Sequence, residues 1–226
     1  MRWVDVSGCP GSGKSTLCYP LWGDKSVGWD GLPPPAYWKP FLDEITEMMM
    51  LVKDHPTIEA VLRMNDRSAK KIATVERMAD ERVFIQTGLV QRILGFGWRL
   101  HQMGRDVNLI RRALWLMPVS VGVVFLEASE ETLIQRNKDR EKNTATAHEN
   151  RGFQIPHMLA AIPIAKEVLY ERGVPVLELD VERFSVDECR AELLRFVEDA
   201  QSRYTPSLGS RCKETLLRSL PPWWRS

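Results

Sequence analysis

The chain has 226 residues, of which 44% are hydrophobic and 27% are charged, and its formal net charge is +1. This length and composition provide one domain with a sizeable core, and they exclude a polycation that binds nucleic acid by global charge. No apolar run approaches the roughly 20 residues of a membrane span, and a strand-like segment begins at once. We therefore expect a cytoplasmic protein with no membrane contact.

The four cysteines are Cys9, Cys18, Cys189 and Cys212, with no C-x-x-C spacing and no histidine cluster near them. Metal ligation is therefore not expected, and neither is a disulfide framework in a reducing compartment. Cys9 lies inside a glycine-rich segment, where it is expected to fill space as a small side chain. A reactive thiol of low pKa is the alternative.

Strand-like and helical segments alternate along the chain, which predicts a parallel sheet covered by helices on both faces. Strands are predicted at 2–7, 26–29, 83–85, 119–127 and 174–179. Helices are predicted from 14 to Pro20 and at about 37–53, 57–81, 88–103, 107–116, 130–142, 156–172 and 186–200. The expected architecture is a three-layer α/β/α domain with a five-stranded parallel sheet over residues 1–202, followed by a tail at 203–226.

The most specific motif follows the first predicted strand. It is the segment Gly8-Cys9-Pro10-Gly11-Ser12-Gly13-Lys14-Ser15-Thr16, which matches G-x-x-x-x-G-K-[ST] between a strand and a helix. Glycines let the backbone wrap an anion with its amide groups pointing inward, and the helix N-terminus adds roughly half a positive charge. Lys14 is expected to reach the β- and γ-phosphates of a nucleotide, and Ser15 to hold Mg²⁺. Thr16 is expected to pack or to contact the α-phosphate.

The identity of the nucleotide base is indicated by the guanine-binding motif of GTPases, which this chain matches only in part. GTPases read guanine with N-K-x-D, whereas Asn137-Lys138-Asp139-Arg140 has arginine at the aspartate position and lies in a predicted helix. The chain is therefore not expected to be a GTPase, and ATP is the predicted nucleotide.

The strand predicted at 83–85 bears on whether the chain is a motor or a kinase. Motor and switch ATPases usually place an acid at the end of a neighbouring strand, but this strand is followed by Gln86 and Thr87. Either residue could hold a Mg²⁺-bound water or be an ordinary polar strand end. The chain is also short for a motor, so a small kinase is the preferred interpretation. Asp5, inside a predicted central strand, is expected to form a structural ion pair, with a place near magnesium as the alternative.

A charged helix predicted at 130–142 provides a candidate lid over about 130–155. Arg136 and Arg140 are four residues apart and share one helix face. Two guanidinium groups on one face can clamp the oxygens of a transferring phosphate, so both arginines are candidate catalytic residues. A solvated helix with ion pairs between successive turns is the alternative.

With these motifs the chain resembles a known group of enzymes. The resemblance is to polynucleotide 5′-hydroxyl kinases and thymidylate-kinase-like enzymes, and it covers roughly residues 1–200. It is carried by the segment at 8–16, which we call the phosphate-loop motif, by Arg136-Asn137-x-x-Arg140 and by Ile155-Pro156-x-x-Leu159. The resemblance implies a nucleotide-kinase-like P-loop NTPase fold, ATP and Mg²⁺, and an aspartate after the second strand that deprotonates the acceptor hydroxyl. Asp30 occupies that place, although prolines at 33–35 replace the arginine that follows it in the family. A turn-forming role for Asp30 is the alternative.

The acceptor region is expected at about 29–115. Its aromatic and proline-rich stretch at 29–38 offers rings on which a base could stack, or a hydrophobic lid over the core. Five arginines in the helices predicted at 88–103 and 107–116 could bind an acceptor phosphate or solvate helix faces: Arg92, Arg99, Arg105, Arg111 and Arg112. The tail at 203–226 combines basic residues with tryptophans, which favours either contact with nucleic acid or docking on the body.

The sequence leaves three classes of function open. The first is a kinase for a hydroxyl of a nucleoside, nucleotide or nucleic acid. Within it, the specific hypothesis is a phage enzyme that phosphorylates 5-hydroxymethyluracil in DNA as a DNA modification, in the host cytoplasm. The second class is a kinase for a small metabolite. The third is a non-kinase ATPase or nucleotide-binding regulator.

Overall fold

A computed structural model of the chain describes residues 3–22, 43–44, 46, 83–86, 88–102, 108–117, 120–143 and 154–203. The strands in these ranges are β1 Trp3–Gly8, β2 Val83–Gln86, β3 Gly122–Glu127 and β4 Val176–Asp180. The longer helices are α1 Lys14–Trp22, α2 Leu89–Gln102, α3 Asn108–Leu116, α4 Glu130–Asn143, α5 Ile155–Glu171 and α6 Val186–Arg203. The strand predicted at 26–29 lies outside the described residues, as do nearly all of 37–53 and all of 57–81.

The described strands form one parallel sheet in the order β2-β1-β3-β4. In the register of the sheet, Val4 of β1 pairs with Phe84 on one side and with Gly122 on the other. Because all these strands run in the same direction, their carboxyl ends meet at one edge, and ligands of such sheets bind there. The segment after β1, which holds the phosphate-loop motif, lies at this edge.

Side chains of the central strands alternate between two apolar cores on opposite faces of the sheet. Val123 and Phe125 of β3 pack into a core with α2, α3 and α5. Val124 and Leu126 pack into a second core with α1 and α6. Burial on both faces explains why β3 is an uninterrupted apolar run rather than an alternating one. The predicted three-layer α/β/α fold is therefore confirmed for the described part of the chain.

Helix α1 differs from its prediction, because it runs through Pro20 and ends at Trp22. The expectation that this helix ends by Pro20 is wrong. A proline inside a helix has no N–H for the carbonyl four residues earlier, which here belongs to Thr16. Arg190 of α6 donates from Nη2 to that carbonyl at 3.0 Å. The arginine thus supplies the hydrogen bond that Pro20 cannot, and it ties α1 to α6.

Within the described ranges, none of the helices is both long and apolar enough to cross a membrane. Of the tail at 203–226, Arg203 forms the end of α6 and the rest lies outside the described residues. The division into a body and a tail therefore stays a prediction.

Candidate active site

The phosphate loop joins the end of β1 to the first residue of α1. Gly8, Gly11 and Gly13 have positive φ angles of 151°, 85° and 88°. The Ser12 amide donates to the Cys9 carbonyl at 3.2 Å, which closes a tight turn inside the loop. A curved backbone at a helix N-terminus is a ready-made site for an anion. The context predicted from the motif, strand then loop then helix, is confirmed.

Lys14 folds back over this loop. Its Nζ donates to the carbonyls of Gly8 at 2.8 Å and Cys9 at 2.9 Å, and to the Ser12 hydroxyl at 3.3 Å. These neutral acceptors hold the ammonium group beside the curved backbone. A phosphate there would offer a charged acceptor, and hydrogen bonds to charged acceptors are the stronger ones.

Ser15 is the residue of the phosphate-loop motif that fits a magnesium ion. Its side chain is exposed in the first turn of α1, and a hydroxyl is the hard oxygen donor that Mg²⁺ prefers. Magnesium usually takes one or two protein ligands and completes its shell with substrate phosphates and water, so one hydroxyl is compatible with a nucleotide-bound ion. In the described part of the chain, no group of three His, Cys, Asp or Glu side chains could hold a metal. The Gln86 side chain lies outside the described residues.

Asp5 is a carboxylate buried in the central strand, with 1% of its surface exposed. The Ser7 hydroxyl donates to its Oδ1 at 2.9 Å, and the Val90 amide donates to its Oδ2 at 3.0 Å. Burial raises the pKa of Asp5 from 3.8 to about 6, and these hydrogen bonds oppose the rise. A Cβ at Gly88 would overlap the carboxylate, so glycine is required for this close approach.

The role of Asp5 is therefore to cap the first turn of α2 from the neighbouring strand. Hydrogen bonds, rather than the expected ion pair, are its main contacts, although its charge also acts on the half-buried Arg92. Both carboxylate oxygens are engaged, which does not support a place near magnesium. Gln91 of the same helix accepts a hydrogen bond from the Gly8 amide at 2.9 Å. Strand β1 and the loop are thus both fastened to α2.

Helix α4 carries both arginines predicted to clamp phosphate, and the structure distinguishes them. Arg136 lines a cavity together with Gly11, Ser12 and Gly13 of the phosphate loop. Its Nη2 also donates to the Val181 carbonyl at 3.4 Å. Arg140, one turn further along, is exposed and is not among the described residues that line the cavity. Its predicted role on phosphate stays a prediction.

The N-terminus of α4 is held by an acid from the turn after β4. Glu182 accepts hydrogen bonds from the Ser129 amide at 2.7 Å and the Ser129 hydroxyl at 2.9 Å, and from the Thr132 hydroxyl. These bonds hold the pKa of Glu182 below its usual range. They also fix the beginning of α4 against the turn that follows β4.

The cavity has a volume of about 280 Å³, and its lining residues fall into a polar and an apolar group, which we call the polar wall and the apolar wall. The polar wall consists of Gly11, Ser12, Gly13, Thr16 and Arg136. The apolar wall consists of Leu17, Leu126, Val181, Phe184, Val186 and Cys189. Phe184 and Val186 keep 38% and 43% of their surface exposed, which is high for side chains of this kind. The polar wall suits an anion and the apolar wall suits a flat apolar group, as in pockets that bind small amphipathic ligands.

Cys9 of the phosphate loop and Cys18 of α1 are both buried. Burial raises the pKa of Cys9 to about 11 and that of Cys18 to about 12. Both thiols are therefore neutral near pH 7, which does not support a reactive low-pKa thiol in the loop. A space-filling role for Cys9 agrees with its 1% exposure.

The acceptor side of the predicted site lies largely outside the described residues. Asp30, the stretch 29–38 and Arg105 are not described, and neither is the side chain of Arg99. Arg112 pairs with the buried Glu44 at 2.9 Å, and Arg111 pairs with Glu167. For Arg111 and Arg112 the ion pairs favour a structural role over binding of an acceptor phosphate.

Three parts of the site are not predicted from the sequence: Gln91, Asn137 and the turn at 181–185. Gln91 and Asn137 contact the phosphate loop across 83 and 127 positions of sequence. No local pattern predicts the contact of Gln91. Asn137 belongs to the pattern Arg136-Asn137-x-x-Arg140, but that pattern does not predict its contact with the loop. The turn had a usable signal, because it follows a parallel strand and so lies at the same sheet edge as the phosphate loop.

The parallel sheet and its glycine-rich loop define a P-loop NTPase fold of the α/β type. Within that class the chain belongs to the AAA domain family, whose model matches residues 4–157, more than half of the chain. The matched range ends before β4, so part of the apolar wall lies beyond it. No curated protein matches at a significant level.

Solved structures of deoxyadenosine kinase from M. mycoides are similar to this chain. The form with bound dATP is 15% identical, with a TM-score of 0.48, and covers 87% of this chain and 100% of its own. The form with bound dCTP is 14% identical, with a TM-score of 0.49, and covers 88% of this chain and 100% of its own. A similarity at this level says nothing about the substrate of this chain.

Proposed function

We propose that this chain is an ATP-dependent kinase that transfers the γ-phosphate to a hydroxyl of a nucleoside, nucleotide or nucleic acid. The observation that carries the proposal is the position of Arg136. A helix after β3 brings Arg136 to the cavity that the phosphate loop also lines. Phosphoryl transfer needs cationic groups around the moving phosphate, because charge spreads over its oxygens in the transition state.

On this proposal the polar wall binds the triphosphate. Loop amides and Lys14 hold the β- and γ-phosphates, and the Lys14 ammonium exchanges its loop carbonyls for phosphate oxygens. Ser15 would hold Mg²⁺, which would neutralise phosphate charge. Arg136 stabilises the charge that develops during transfer, and Arg140 joins it if the lid closes over the bound nucleotide.

The apolar wall is proposed to hold the adenine base. The Phe184 ring and the Val186 side chain are exposed at the cavity, where a flat base can cover them and remove apolar surface from water. Thr16 is exposed and lines the same cavity, and we propose that it contacts the α-phosphate of the nucleotide. Together the walls would orient ATP with its γ-phosphate toward Lys14.

Asp30 is proposed as the base that orients or deprotonates the acceptor hydroxyl, on the strength of its place after the second predicted strand. A base must come within hydrogen-bond reach of the proton it accepts. Asp30→Asn should therefore abolish transfer and leave ATP binding unchanged, as measured by transfer assays beside equilibrium binding. Retained transfer in this variant would assign the base to another residue.

A more specific proposal is that the acceptor is a hydroxymethylated pyrimidine, such as 5-hydroxymethyluracil, in phage DNA. It is supported by the resemblance of the lid pattern and by the basic, tryptophan-containing tail at 203–226. Deleting the tail should then weaken DNA binding and flatten its salt dependence, because fewer phosphate contacts release fewer counterions. Activity that is independent of salt would count against this acceptor.

A second candidate is an ATPase that transfers phosphate only to water. Membership of the AAA domain family favours it. The same loop, Lys14 and Arg136 would serve hydrolysis. This candidate predicts phosphate release that no acceptor accelerates.

The experiment that tests the proposal is transfer of label from γ-labelled ATP to a panel of acceptors. The panel holds nucleosides, nucleotides, DNA with a 5′-hydroxyl, DNA with hydroxymethylated pyrimidines, and small alcohols such as sugars. Label in a nucleoside, nucleotide or DNA that is lost with Lys14→Ala supports the proposal. Label only in a small alcohol makes the chain a metabolite kinase, and release to water alone makes it an ATPase.

A further inference from the structure

Asn137 is the buried exception on an exposed stretch of α4. It is 6% exposed, whereas its neighbours at 135–136 and 138–140 are exposed. Burying an amide is costly unless its hydrogen bonds are made. Its Nδ2 donates to the Leu133 carbonyl of its own helix at 2.8 Å and to the Pro10 carbonyl of the phosphate loop at 2.9 Å. The amide group therefore joins α4 directly to the loop.

The loop has no side chain at the point where Asn137 meets it. Gly11 has a φ of 85°, and a Cβ there would lie 2.7 Å from Asn137 Nδ2 and 3.0 Å from the Leu133 carbonyl oxygen. The loop backbone and α4 are thus in direct contact. The phosphate-loop motif leaves the identity of this position open, so the motif alone does not account for the glycine. Contact with α4 supplies a second reason for it, beside the φ angle.

Arg136 precedes Asn137 on the same rigid helix and lines the cavity beside Gly11. Its own contact with the Val181 carbonyl is long, at 3.4 Å, and exposed, so it fixes the guanidinium group only weakly. The distance between Arg136 and the phosphate loop therefore depends on where α4 is bonded to the loop. The bond from Asn137 to Pro10 fastens it one residue away.

We propose that Asn137 is a positioning residue, which sets the distance between Arg136 and the phosphate loop. The inference rests on the proposed function, because it assigns Arg136 a role on the transferring phosphate. A shift of about 1 Å in a reacting geometry can cost about a hundredfold in rate. Loss of the Asn137 anchor should therefore lower turnover through Arg136, with little effect on the rest of the site.

The test is a double-mutant cycle between Asn137→Leu and Arg136→Ala. Leucine keeps the approximate volume of asparagine and removes both hydrogen bonds. Gln135→Leu is the matched control, because Gln135 is an exposed amide on the same helix that bonds Asp139 instead of the loop. Each variant is measured for thermal unfolding, for the kcat and KM of ATP turnover, and for the affinity of a non-hydrolysable ATP analogue.

We expect Asn137→Leu to lower kcat roughly tenfold to a hundredfold with KM changed by less than about threefold, and Gln135→Leu to change neither. In the Arg136→Ala background, Asn137→Leu should have less than about a twofold further effect, since the two changes act on one interaction. If Asn137→Leu lowers kcat equally in the wild type and in Arg136→Ala, the proposal is overturned and the role of Asn137 is only structural. An unchanged kcat in Asn137→Leu would also overturn the proposal. If the enzyme transfers phosphate to no acceptor, the proposed function fails. The same cycle on ATP hydrolysis or on analogue affinity then still decides the role of Asn137.

Discussion

The two walls of the cavity differ in how the chain builds them. Four residues of the polar wall come from the nine-residue phosphate-loop motif at 8–16, and Arg136 is added to them by α4. The apolar wall is assembled from α1, β3, the turn after β4 and the start of α6. A contiguous segment can carry a recognisable motif, whereas a wall gathered from four segments cannot. We expect the same division in function, with the polar wall controlling phosphate chemistry and the apolar wall controlling affinity for the base.

The largest expected effect is at Lys14, which does not line the cavity itself but contacts the backbone of the phosphate loop behind the polar wall. Lys14→Ala should lower the rate of phosphate transfer by roughly a hundredfold or more, the usual scale for removing one preorganised stabiliser of developing charge. Steady-state turnover of ATP measures it, with far-ultraviolet circular dichroism to show that the variant is folded. A rate close to that of the wild type would remove Lys14 from the mechanism.

The second prediction concerns Asp5, which lies in β1, the strand that leads into the phosphate loop. Its pKa is about 6 in the folded chain, against 3.8 for an unperturbed aspartate, so between these values the folded state holds more protons than the unfolded state. Stability contributed by Asp5 is therefore present below about pH 4 and lost as the pH rises toward 6 and above. The loss should be on the order of 3 kcal/mol, from a pKa difference of about two units.

Urea unfolding of the wild type and of Asp5→Asn at pH 4 and pH 7 measures this loss. Asparagine has a similar shape but no charge in this range, so other titrating groups cancel when the two free energies of unfolding are subtracted. The wild type should lose stability relative to the variant as the pH rises. A difference that does not vary with pH would mean that burial does not perturb Asp5.

The third prediction separates the two arginines of α4. Arg136→Ala should lower kcat roughly tenfold to a hundredfold, because it removes a guanidinium group from the cavity. Arg140→Ala should have a smaller effect, since Arg140 does not line the cavity among the described residues. Comparing kcat for both variants checks the order. The reverse order would mean that the lid rearranges when nucleotide binds and brings Arg140 to the phosphate.

The smallest effect is expected on the apolar wall. Phe184→Ala should raise the KM for ATP by a few-fold to roughly tenfold while kcat stays nearly constant, because the ring contributes apolar contact that is the same before and during the reaction. Phe184→Leu, which keeps an apolar side chain, should lie between alanine and the wild type. A drop in kcat with unchanged KM would place Phe184 near the reacting phosphate instead.

The fold was accessible from the sequence because its signals are local. The apolar run of β3, the charged surface of α4 and the loop between Gly8 and Lys14 each identify an element from consecutive residues. The predicted end of α1 is wrong because Arg190 donates to the Thr16 carbonyl, for which Pro20 has no N–H. Arg190 and Thr16 are 174 positions apart in the sequence. Asn137 illustrates the same limit in the site, since its contact with Pro10 depends on the packing of α4 and not on its neighbours in sequence.

The central claim is that one cavity binds the triphosphate at its polar wall and the base at its apolar wall. The most direct test is to measure by calorimetry the binding of ATP and of tripolyphosphate to three proteins. These are the wild type, Lys14→Ala and Phe184→Ala. Tripolyphosphate can occupy only the polar wall, so Lys14→Ala should weaken both ligands, and Phe184→Ala should weaken ATP alone. Equal weakening of both ligands by Phe184→Ala, or unchanged binding of both by Lys14→Ala, would contradict the account.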